Sequence, residues 1–206
     1  MFSKLARFNL FQRFPRLIHW ILGLIAFLSV VILPFAHQVT VAHTYQTRYI
    51  QTAQAALAER STLLGKTVGN LEIYSLSMSG NAIIPNPVST GATAEAGAVL
   101  EGNTLIVRGG FRGLSGQLRD YATDPLDPPN PNITSAVHIH RGKTTENGPF
   151  QYALTVTLAD DKVSGTFAGE FTLTEEQLQA LKNGMLYMDI HTKTKRGGEL
   201  RGFFKA

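Results

Sequence analysis

The sequence predicts a mainly β protein, a sandwich or barrel of about eight antiparallel strands with one short helix, preceded by a transmembrane helix and a helical stalk. Three observations support this prediction. From about Asn70 onward, apolar and polar residues alternate as they do in half-buried strands. Near the N-terminus, Leu17–Ala36 contains no charged side chain. A composition of 44% hydrophobic and 17% charged residues among 206 excludes a disordered or collagen-like chain.

The first 16 residues form a basic segment. It contains no acidic residue and four basic ones, namely Lys4, Arg7, Arg13 and Arg16. The other 15 basic residues balance the 15 acidic ones, so the net charge of +4 comes from this segment. A nucleic-acid-binding domain needs its excess positive charge on the folded surface. The sequence therefore indicates no nucleic-acid partner.

Residues 17–36 are predicted to be a transmembrane helix. Leu17–Ala36 has 20 residues, about 30 Å as a helix, which spans a bilayer. The positive-inside rule places residues 1–16 in the cytoplasm and the rest of the chain in a periplasm, a lumen or the cell exterior. A cleaved signal peptide ending near Ala42 is the alternative, and it would make the protein secreted. The apolar run exceeds the roughly 7–15 residues of a signal peptide, which favours a retained anchor.

Residues 37–69 are predicted to be a helical stalk or linker. Apolar and aromatic residues recur at helical spacing between Thr44 and Leu64, among them Tyr45, Tyr49 and Leu57. Such a helix would form a stiff stalk or lie on the domain that follows it. A contact surface for another extracytoplasmic protein is the functional alternative.

Alternating residues predict the strands of the domain over residues 70–206. One face of the first strand carries the apolar residues of Tyr74–Met78. A single strand is expected over Tyr152–Leu158, and a turn at Ala159–Lys162 would join it to a strand over Val163–Leu173 as a hairpin.

One short helix and one long loop interrupt these strands. Thr174 and Gln177 have the spacing of a capping box, and Gly184 suits the end of the helix that follows. Gln117–Thr134 contains four of the nine prolines, which predicts a long surface loop. The aspartates of this loop lack the ligand spacing of a calcium loop, so they are interpreted as solvated acidic residues.

Histidine placement predicts a metal site. The chain has no cysteine, which excludes disulfides, thiolate metal sites and cysteine nucleophiles. Three of its six histidines lie in the predicted domain, namely His138, His140 and His191. In a strand over Ala136–His140, residues two apart face the same side, so the first two histidines form a chelating pair. If the strand over Leu186–His191 is its neighbour, His191 completes a set of three imidazoles, which suits copper or zinc.

Several charged residues are predicted to lie near these histidines. Asp189 shares a face with His191 and is expected to fix the tautomer of a ligating ring. Glu199 and Arg201 share a face of the last strand, where they would form an ion pair or, together with Arg141, guide an anion to the site. The alternative for the histidines is a structural role, as hydrogen-bonded strand residues that hold the nearby turns.

A set of short motifs recurs in the order known from one family. The motifs are Leu76–Gly80 (LSMSG), Pro87–Thr90 (PVST), Phe111–Leu114 (FRGL), Ala136–Gly142 (AVHIHRG), Phe171–Thr174 (FTLT), Ile190–Thr192 (IHT) and Gly198–Gly202 (GELRG). On these motifs, nearly all of Leu71–Phe204 resembles the CHRD domain, the module found in chordin and in many bacterial secreted proteins. Asn81–Pro87 departs from the acidic, double-proline segment usual in that family, so no ligand contact is inferred there. The family is defined by sequence and architecture, so the resemblance implies a module without implying an activity.

A fainter resemblance links the histidines to copper–zinc superoxide dismutase, an eight-stranded Greek-key barrel. The His-x-His copper strand of that enzyme resembles His138-Ile139-His140, and its late copper histidine resembles His191 followed by Gly197–Phe204. This resemblance implies a Greek-key strand order and copper. The chain lacks the bridging histidine, the zinc loop and the disulfide cysteines of that family, and Arg201 does not fall at the position of its active-site arginine.

These observations predict a membrane-anchored, extracytoplasmic CHRD-domain binding module with a metal site at His138, His140 and His191. Copper is favoured over zinc, and the expected partners are the membrane, through Leu17–Ala36, and another protein at the stalk or domain surface. A superoxide-dismutating redox enzyme is the first alternative, and the missing bridging histidine counts against it. A purely protein-binding or scaffold domain with structural histidines is the second. A serine hydrolase is disfavoured because the chain has no Gly-x-Ser-x-Gly elbow.

Overall fold

The computed structural model describes residues 44–206. The predicted basic segment (residues 1–16), the predicted transmembrane helix (residues 17–36) and the first part of the predicted stalk lie outside the described residues. Among the helices of residues 44–206, none has the length and apolar character needed to cross a membrane.

Nine strands in the described part of the chain form two antiparallel sheets. The five-stranded sheet consists of β1 (Leu71–Met78), β2 (Thr93–Glu101), β3 (Thr104–Arg112), β6 (Thr155–Leu158) and β7 (Gly165–Thr172), in the spatial order β1-β2-β3-β7-β6. The four-stranded sheet consists of β4 (Val137–Arg141), β5 (Phe150–Ala153), β8 (Leu186–Ile190) and β9 (Leu200–Phe203), in the spatial order β5-β4-β8-β9. The predicted mainly β architecture is confirmed.

The inner faces of the two sheets share one apolar core. The four-stranded sheet contributes six fully buried residues to it, namely Val137, Ile139, Leu186, Met188, Ile190 and Leu200. Because successive strand residues face opposite sides, His138 and His140 lie on the outer face of this sheet. The predicted orientation of β4 is therefore confirmed.

One edge of the sandwich is closed by backbone hydrogen bonds between β9 and the β1 side. Ser75 and Lys205 exchange two such bonds (2.8 and 3.0 Å), and Ser79 and Arg201 exchange two more (2.9 and 3.1 Å). These bonds bring the end of β1 next to the start of β9. The loops that follow β1, β3 and β8 therefore gather at one end of the domain.

At the other edge the chain crosses from one sheet to the other at Leu154. The single strand predicted over Tyr152–Leu158 is wrong at this point, because β5 belongs to the four-stranded sheet and β6 to the five-stranded one. Leu154 is 1% exposed and donates its amide to the carbonyl of Val137 (2.9 Å). Because Leu154 is buried at the corner, apolar and polar residues alternate along the sequence without interruption, although the backbone changes sheets there.

Helix α1 (residues 44–63) packs on the outer face of the five-stranded sheet. The contact centres on a small, fully buried apolar cluster formed by Ala53, Leu57, Val99 and Ile106. A β-carbon at Gly97 would lie 2.3 Å from the backbone nitrogen of Ile50, so glycine is required for this close approach. The helix lies on the domain, which is the second of the two arrangements that the sequence left open.

Helix α2 (Glu175–Lys182) forms as its sequence predicts. Thr174 and Gln177 make the reciprocal bonds of a capping box, and Gly184 follows the helix with a φ of 66°. Gln117–Thr134 forms no strand, and a β-bridge joins its Leu118 to Thr192. The predicted loop is therefore confirmed, and its bridge fixes it beside the end of β8.

Candidate metal centre

Two neighbouring strands bring the three predicted histidines together. β4 and β8 pair antiparallel, with Val137 opposite Ile190, so His191 emerges beside the start of β4. One ring nitrogen from each of His138, His140 and His191 lies within 4.8 Å of the other two. The sequence predicted this cluster on the condition that the two strands are neighbours. The structure meets that condition.

Backbone carbonyls fix the tautomers of two of these histidines. Nδ1 of His140 donates to the carbonyl of Gly148 (3.1 Å), and Nδ1 of His191 donates to the carbonyl of Arg196 (3.0 Å). A carbonyl oxygen only accepts, so the proton of each neutral ring lies on Nδ1 and the lone pair lies on Nε2. Both Nε2 atoms are buried and have no hydrogen-bond partner in the described part of the chain.

The third histidine bonds to a backbone carbonyl through Nε2 instead of Nδ1. Nε2 of His138 makes a short hydrogen bond to the carbonyl of Ser135, so the free lone pair of its neutral ring lies on Nδ1. His138 is 1% exposed, and the ring of Tyr121 lies 5.3 Å from its ring, centroid to centroid. A metal held here would bind Nδ1 of His138 and Nε2 of His140 and His191.

The surroundings keep all three rings neutral. Burial, with a smaller contribution from the neighbouring His191, lowers the pKa of His138 to about 3. Burial also lowers the pKa of His140 and of His191, although the carboxylate of Asp189 partly opposes both shifts. Neutral imidazole is the form that ligates a metal, so the rings need lose no proton to bind one near neutral pH.

Asp189 does not bond to a histidine ring, which corrects the expected role of this residue. Its two oxygens accept from Nε (2.7 Å) and Nη2 (2.6 Å) of Arg201, and both side chains are almost fully buried. The backbone carbonyls of Gly148 and Arg196 fix the tautomers instead. Asp189 was expected to bond to a ring because its side chain shares a strand face with His191. Instead, the guanidinium of Arg201 on the adjacent strand β9 binds both of its carboxylate oxygens.

Arg201 supports His140 through its contacts on the far side of the pair. Its Nη2 donates to the side chain of Asn147 (2.8 Å), next to the residue whose carbonyl holds His140. Its guanidinium also lies 4.3 Å above the ring of Tyr187, which stacks on His140 at 5.2 Å and 11°. The amide of Gly148 donates to the Tyr187 hydroxyl (2.8 Å), so these contacts form one connected group.

Glu199 makes no ion pair with Arg201, so that expectation is also wrong. It lies just before β9, is fully buried, and accepts hydrogen bonds from Thr90, from the amide and hydroxyl of Ser115, and from Thr192. Arg141, which was considered as an anion guide, forms its ion pair with Glu176 of α2. Glu199 therefore ties three loops together at the end of the domain that carries the histidines.

A cleft of about 480 Å³ opens above the histidines. Besides the three rings it is lined by Arg119, Tyr121, Leu126, Ile133, Arg196 and Gly197. Most of these residues come from the proline-rich loop, and the sequence reasoning missed them as site residues. The signal that could have indicated Tyr121 is that it is an aromatic residue in the long loop after β3.

Two of the three aspartates of this loop, Asp120 and Asp124, have protein partners. Asp124 binds Nε of Arg119 (3.0 Å) and also Arg196, which leaves one carboxylate between two guanidinium groups. Asp120 accepts from the amide of Ala122 (3.0 Å) and from the hydroxyl of Thr123 (2.9 Å). Both are engaged within the loop and its neighbour, although the sequence predicted them to be simply solvated.

The donor set fits a metal ion that takes imidazole ligands. Three neutral rings point one free nitrogen each into a common space, and two of these nitrogens are buried without a partner. A buried polar atom of this kind ordinarily has a hydrogen-bond partner. Copper and zinc both bind three histidines and leave a further coordination position for another ligand.

Comparison with known proteins gives one match. The family model of the CHRD domain matches residues 74–204, a stretch that contains all three histidines and Arg201. No curated protein and no solved structure shows significant similarity to the chain. The family match extends over more than half of the chain and covers the closed sandwich described above. The chain therefore belongs to the CHRD-domain family.

Proposed function

We propose that this protein is a metal-binding CHRD-domain module in which His138, His140 and His191 hold one copper ion. The observation that carries the proposal is the pair of buried Nε2 atoms, on His140 and His191, that have no hydrogen-bond partner in the described residues. A purely structural histidine in this position would use both ring nitrogens, because an unpaired buried polar atom costs about 1–3 kcal/mol. A bound metal removes that cost.

Copper is favoured over zinc by the chemistry of the donors. The group contains three imidazoles and no carboxylate or thiolate. For nitrogen ligands the affinity of divalent metals rises to a maximum at copper(II). Zinc remains the second metal that the same three rings would take.

Binding rather than catalysis is the role that these residues support. A binding module needs ligands and a rigid scaffold, and the histidines lie on or directly beside paired strands with their rings held by the backbone. A redox enzyme needs in addition a metal that cycles and a proton route.

We extend the proposal to location on the basis of the sequence. The uncharged run Leu17–Ala36, preceded by basic residues, supports a membrane anchor with the CHRD domain on the extracytoplasmic side. The test is protease treatment of intact and permeabilised spheroplasts that produce the full chain. Digestion of the domain in intact spheroplasts and recovery of the protein in the membrane fraction are expected. A soluble protein that keeps residues 17–36 would contradict the anchor.

The metal proposal is tested by copper(II) and zinc(II) titration of the full chain in a mild detergent after removal of metals with a chelator. We expect one copper per chain, with an affinity that falls by more than about 100-fold in His140→Leu and in His191→Leu, since even outer-shell changes cost 10–100-fold. Thr93→Ala is the matched control, because its hydroxyl is also buried and unpartnered in the described residues. Circular dichroism of each variant reports folding. Undiminished stoichiometric copper binding in the folded His140→Leu, His191→Leu double variant would overturn the proposal.

A further inference from the structure

The cleft above the three histidines is larger than a metal-bound water or a diatomic molecule requires. Its volume of about 480 Å³ falls in the range of small-molecule sites, roughly 300–1,000 Å³. We propose that, with the metal in place, this cleft binds an organic monocarboxylate that has an apolar body, with its carboxylate at the metal. This inference rests on the proposed function, because the metal supplies the contact at the base of the cleft.

The charges that line the cleft favour an anion. Two guanidinium groups line it, those of Arg119 and Arg196, and no acidic side chain is among its described lining residues. Both cations share the single carboxylate of Asp124. The histidines are neutral, so the lining has an excess of positive charge even before a metal cation adds to it.

The remaining wall of the cleft is apolar. Tyr121, Leu126 and Ile133 form it, and Leu126 is 38% exposed although it is a large aliphatic side chain. The ring of Tyr121 lies under the guanidinium of Arg119 (4.6 Å to the ring centroid), so the cationic side and the aromatic side of the cleft adjoin. An anionic group and an apolar group are therefore accommodated next to each other.

A second hollow continues this apolar wall away from the histidines. It has a volume of about 440 Å³ and shares Tyr121, Leu126 and Ile133 with the cleft. Prolines of the same loop form much of its remaining surface. The body of a ligand that is fixed at the metal thus has room to extend over the loop without meeting charged groups at the shared wall.

One acidic residue limits what the second hollow accepts. Asp120 lines it, and its carboxylate is the acidic group among the hollow's described lining residues. A second carboxylate on the ligand would approach this like charge. The observations therefore favour a monocarboxylate over a dicarboxylate, and an organic anion over a small inorganic one, which would leave the apolar wall unused.

The test compares benzoate with acetate on the copper(II)-loaded full chain. Copper occupancy of each protein is measured first, and carboxylate binding is then followed by calorimetry and by the visible absorption of copper(II). We expect benzoate to bind at least about tenfold more tightly than acetate, because only its ring reaches the apolar wall. Phthalate, with its second carboxylate, is expected to bind more weakly than benzoate.

Three variants assign the preference to the cleft. Leu126→Asn should reduce the ratio of acetate Kd to benzoate Kd to about threefold or less. Leu158→Asn is the matched control, because Leu158 is similarly exposed (42%) on β6, and it should leave the ratio at the wild-type value. Arg196→Gln should weaken benzoate and acetate by similar factors, since it removes charge rather than apolar contact.

The outcomes separate this inference from the function on which it rests. Failure of the wild-type protein to take up copper would overturn the proposed function and this inference with it. Normal copper uptake with equal affinities for benzoate and acetate, or with phthalate binding as tightly as benzoate, would overturn only the inference. A benzoate preference that Leu126→Asn leaves unchanged would also overturn it, since the ring would then lie elsewhere.

Discussion

Arg201 and Asp189 form a two-point ion pair in the interior of the domain, directly across the β8–β9 ladder. Nε and Nη2 of Arg201 lie 2.7 and 2.6 Å from the two carboxylate oxygens, and the side chains are 2% and 3% exposed. The same guanidinium reaches Asn147 and the ring of Tyr187, both beside His140. The pair therefore connects the buried outer face of β8 and β9 to one predicted metal ligand.

Arg201→Met should destabilise the protein by about 3–5 kcal/mol, because it leaves the buried carboxylate of Asp189 without a partner. Urea unfolding of the full chain in detergent measures this change. The matched control is Arg108→Met, which removes an ion pair to Glu170 that is 20% and 46% exposed. That substitution should cost no more than about 1 kcal/mol. Equal losses in the two variants would show that burial does not determine the strength of the Arg201 pair.

Arg201 should also act as a positioning residue for His140. In Arg201→Lys the charge remains, but one ammonium group cannot bind Asp189 at two points and also hold Asn147. We expect a folded protein whose copper affinity falls about tenfold and whose copper(II) electron paramagnetic resonance spectrum changes. A merely structural role would lower stability and leave the spectrum of the bound copper unchanged, so an unaltered spectrum in Arg201→Lys would contradict positioning.

Glu199 gives a stability contribution that should disappear in acid. Burial alone would raise the pKa of Glu199, but hydrogen bonds from Thr90, Ser115 and Thr192 lower it below its usual value. A lowered pKa in the folded state means that the stabilisation is present above the unfolded value of about 4.3 and is lost as the pH falls through the folded value. Glu199→Gln should therefore cost about 1–3 kcal/mol at pH 7 and much less at pH 3. Urea unfolding at both pH values checks this, and a constant difference would contradict it.

Glu95 should give the opposite pH dependence. Burial raises the pKa of this carboxyl, although Ser77 donates to it (2.7 Å) and Gln46 of α1 donates in turn to Ser77 (2.7 Å). A raised pKa in the folded state stabilises the protein below the unfolded value, and that contribution is lost as the pH rises through the folded value. Glu95→Gln should therefore increase stability relative to the wild type at pH 8, with the advantage vanishing toward pH 4. The same urea series measures it, and a variant that is less stable than the wild type at pH 8 would show that the charged form is favoured.

The sequence predicted the histidine arrangement well because it depends on local geometry. Two-residue spacing alone places His138 and His140 on one face of a strand, and only the pairing of β4 with β8 had to be supplied by the fold. The prediction of a single strand over Tyr152–Leu158 was wrong because it, too, relied on local spacing alone. Apolar residues alternate through Leu154, and nothing in that spacing records that the chain changes sheets there.

The partners of the charged residues could not be predicted, because they depend on long-range register. Asp189 and Glu199 each share a strand face with an expected partner two residues away, but in the fold Asp189 binds Arg201 and Glu199 binds residues of three loops. The cleft was missed for a related reason. Its wall comes from a loop whose path is fixed by contacts such as that of Arg119 with Asp124, and these have no periodic pattern in the sequence.

The docking of α1 makes a prediction about two glycines. A β-carbon at Gly97 would lie 2.3 Å from the backbone nitrogen of Ile50, and backbone cannot move aside as a flexible side chain can. Gly97→Ala should therefore lift the helix from the sheet and destabilise the protein by about 1–3 kcal/mol. Gly91→Ala is the matched control, since a β-carbon there meets no atom within 4 Å.

Thermal unfolding followed by tyrosine circular dichroism measures the effect, because Trp20, the single tryptophan, lies outside the described residues. Trypsin provides a second readout, since Arg48 and Arg60 lie on α1 and should be cleaved faster when the helix is displaced. Equal melting temperatures and equal cleavage rates for Gly97→Ala and Gly91→Ala would mean that α1 does not pack on the sheet in solution. The stalk arrangement would then be the correct one, and the apolar face formed by Val99 and Ile106 would need another cover.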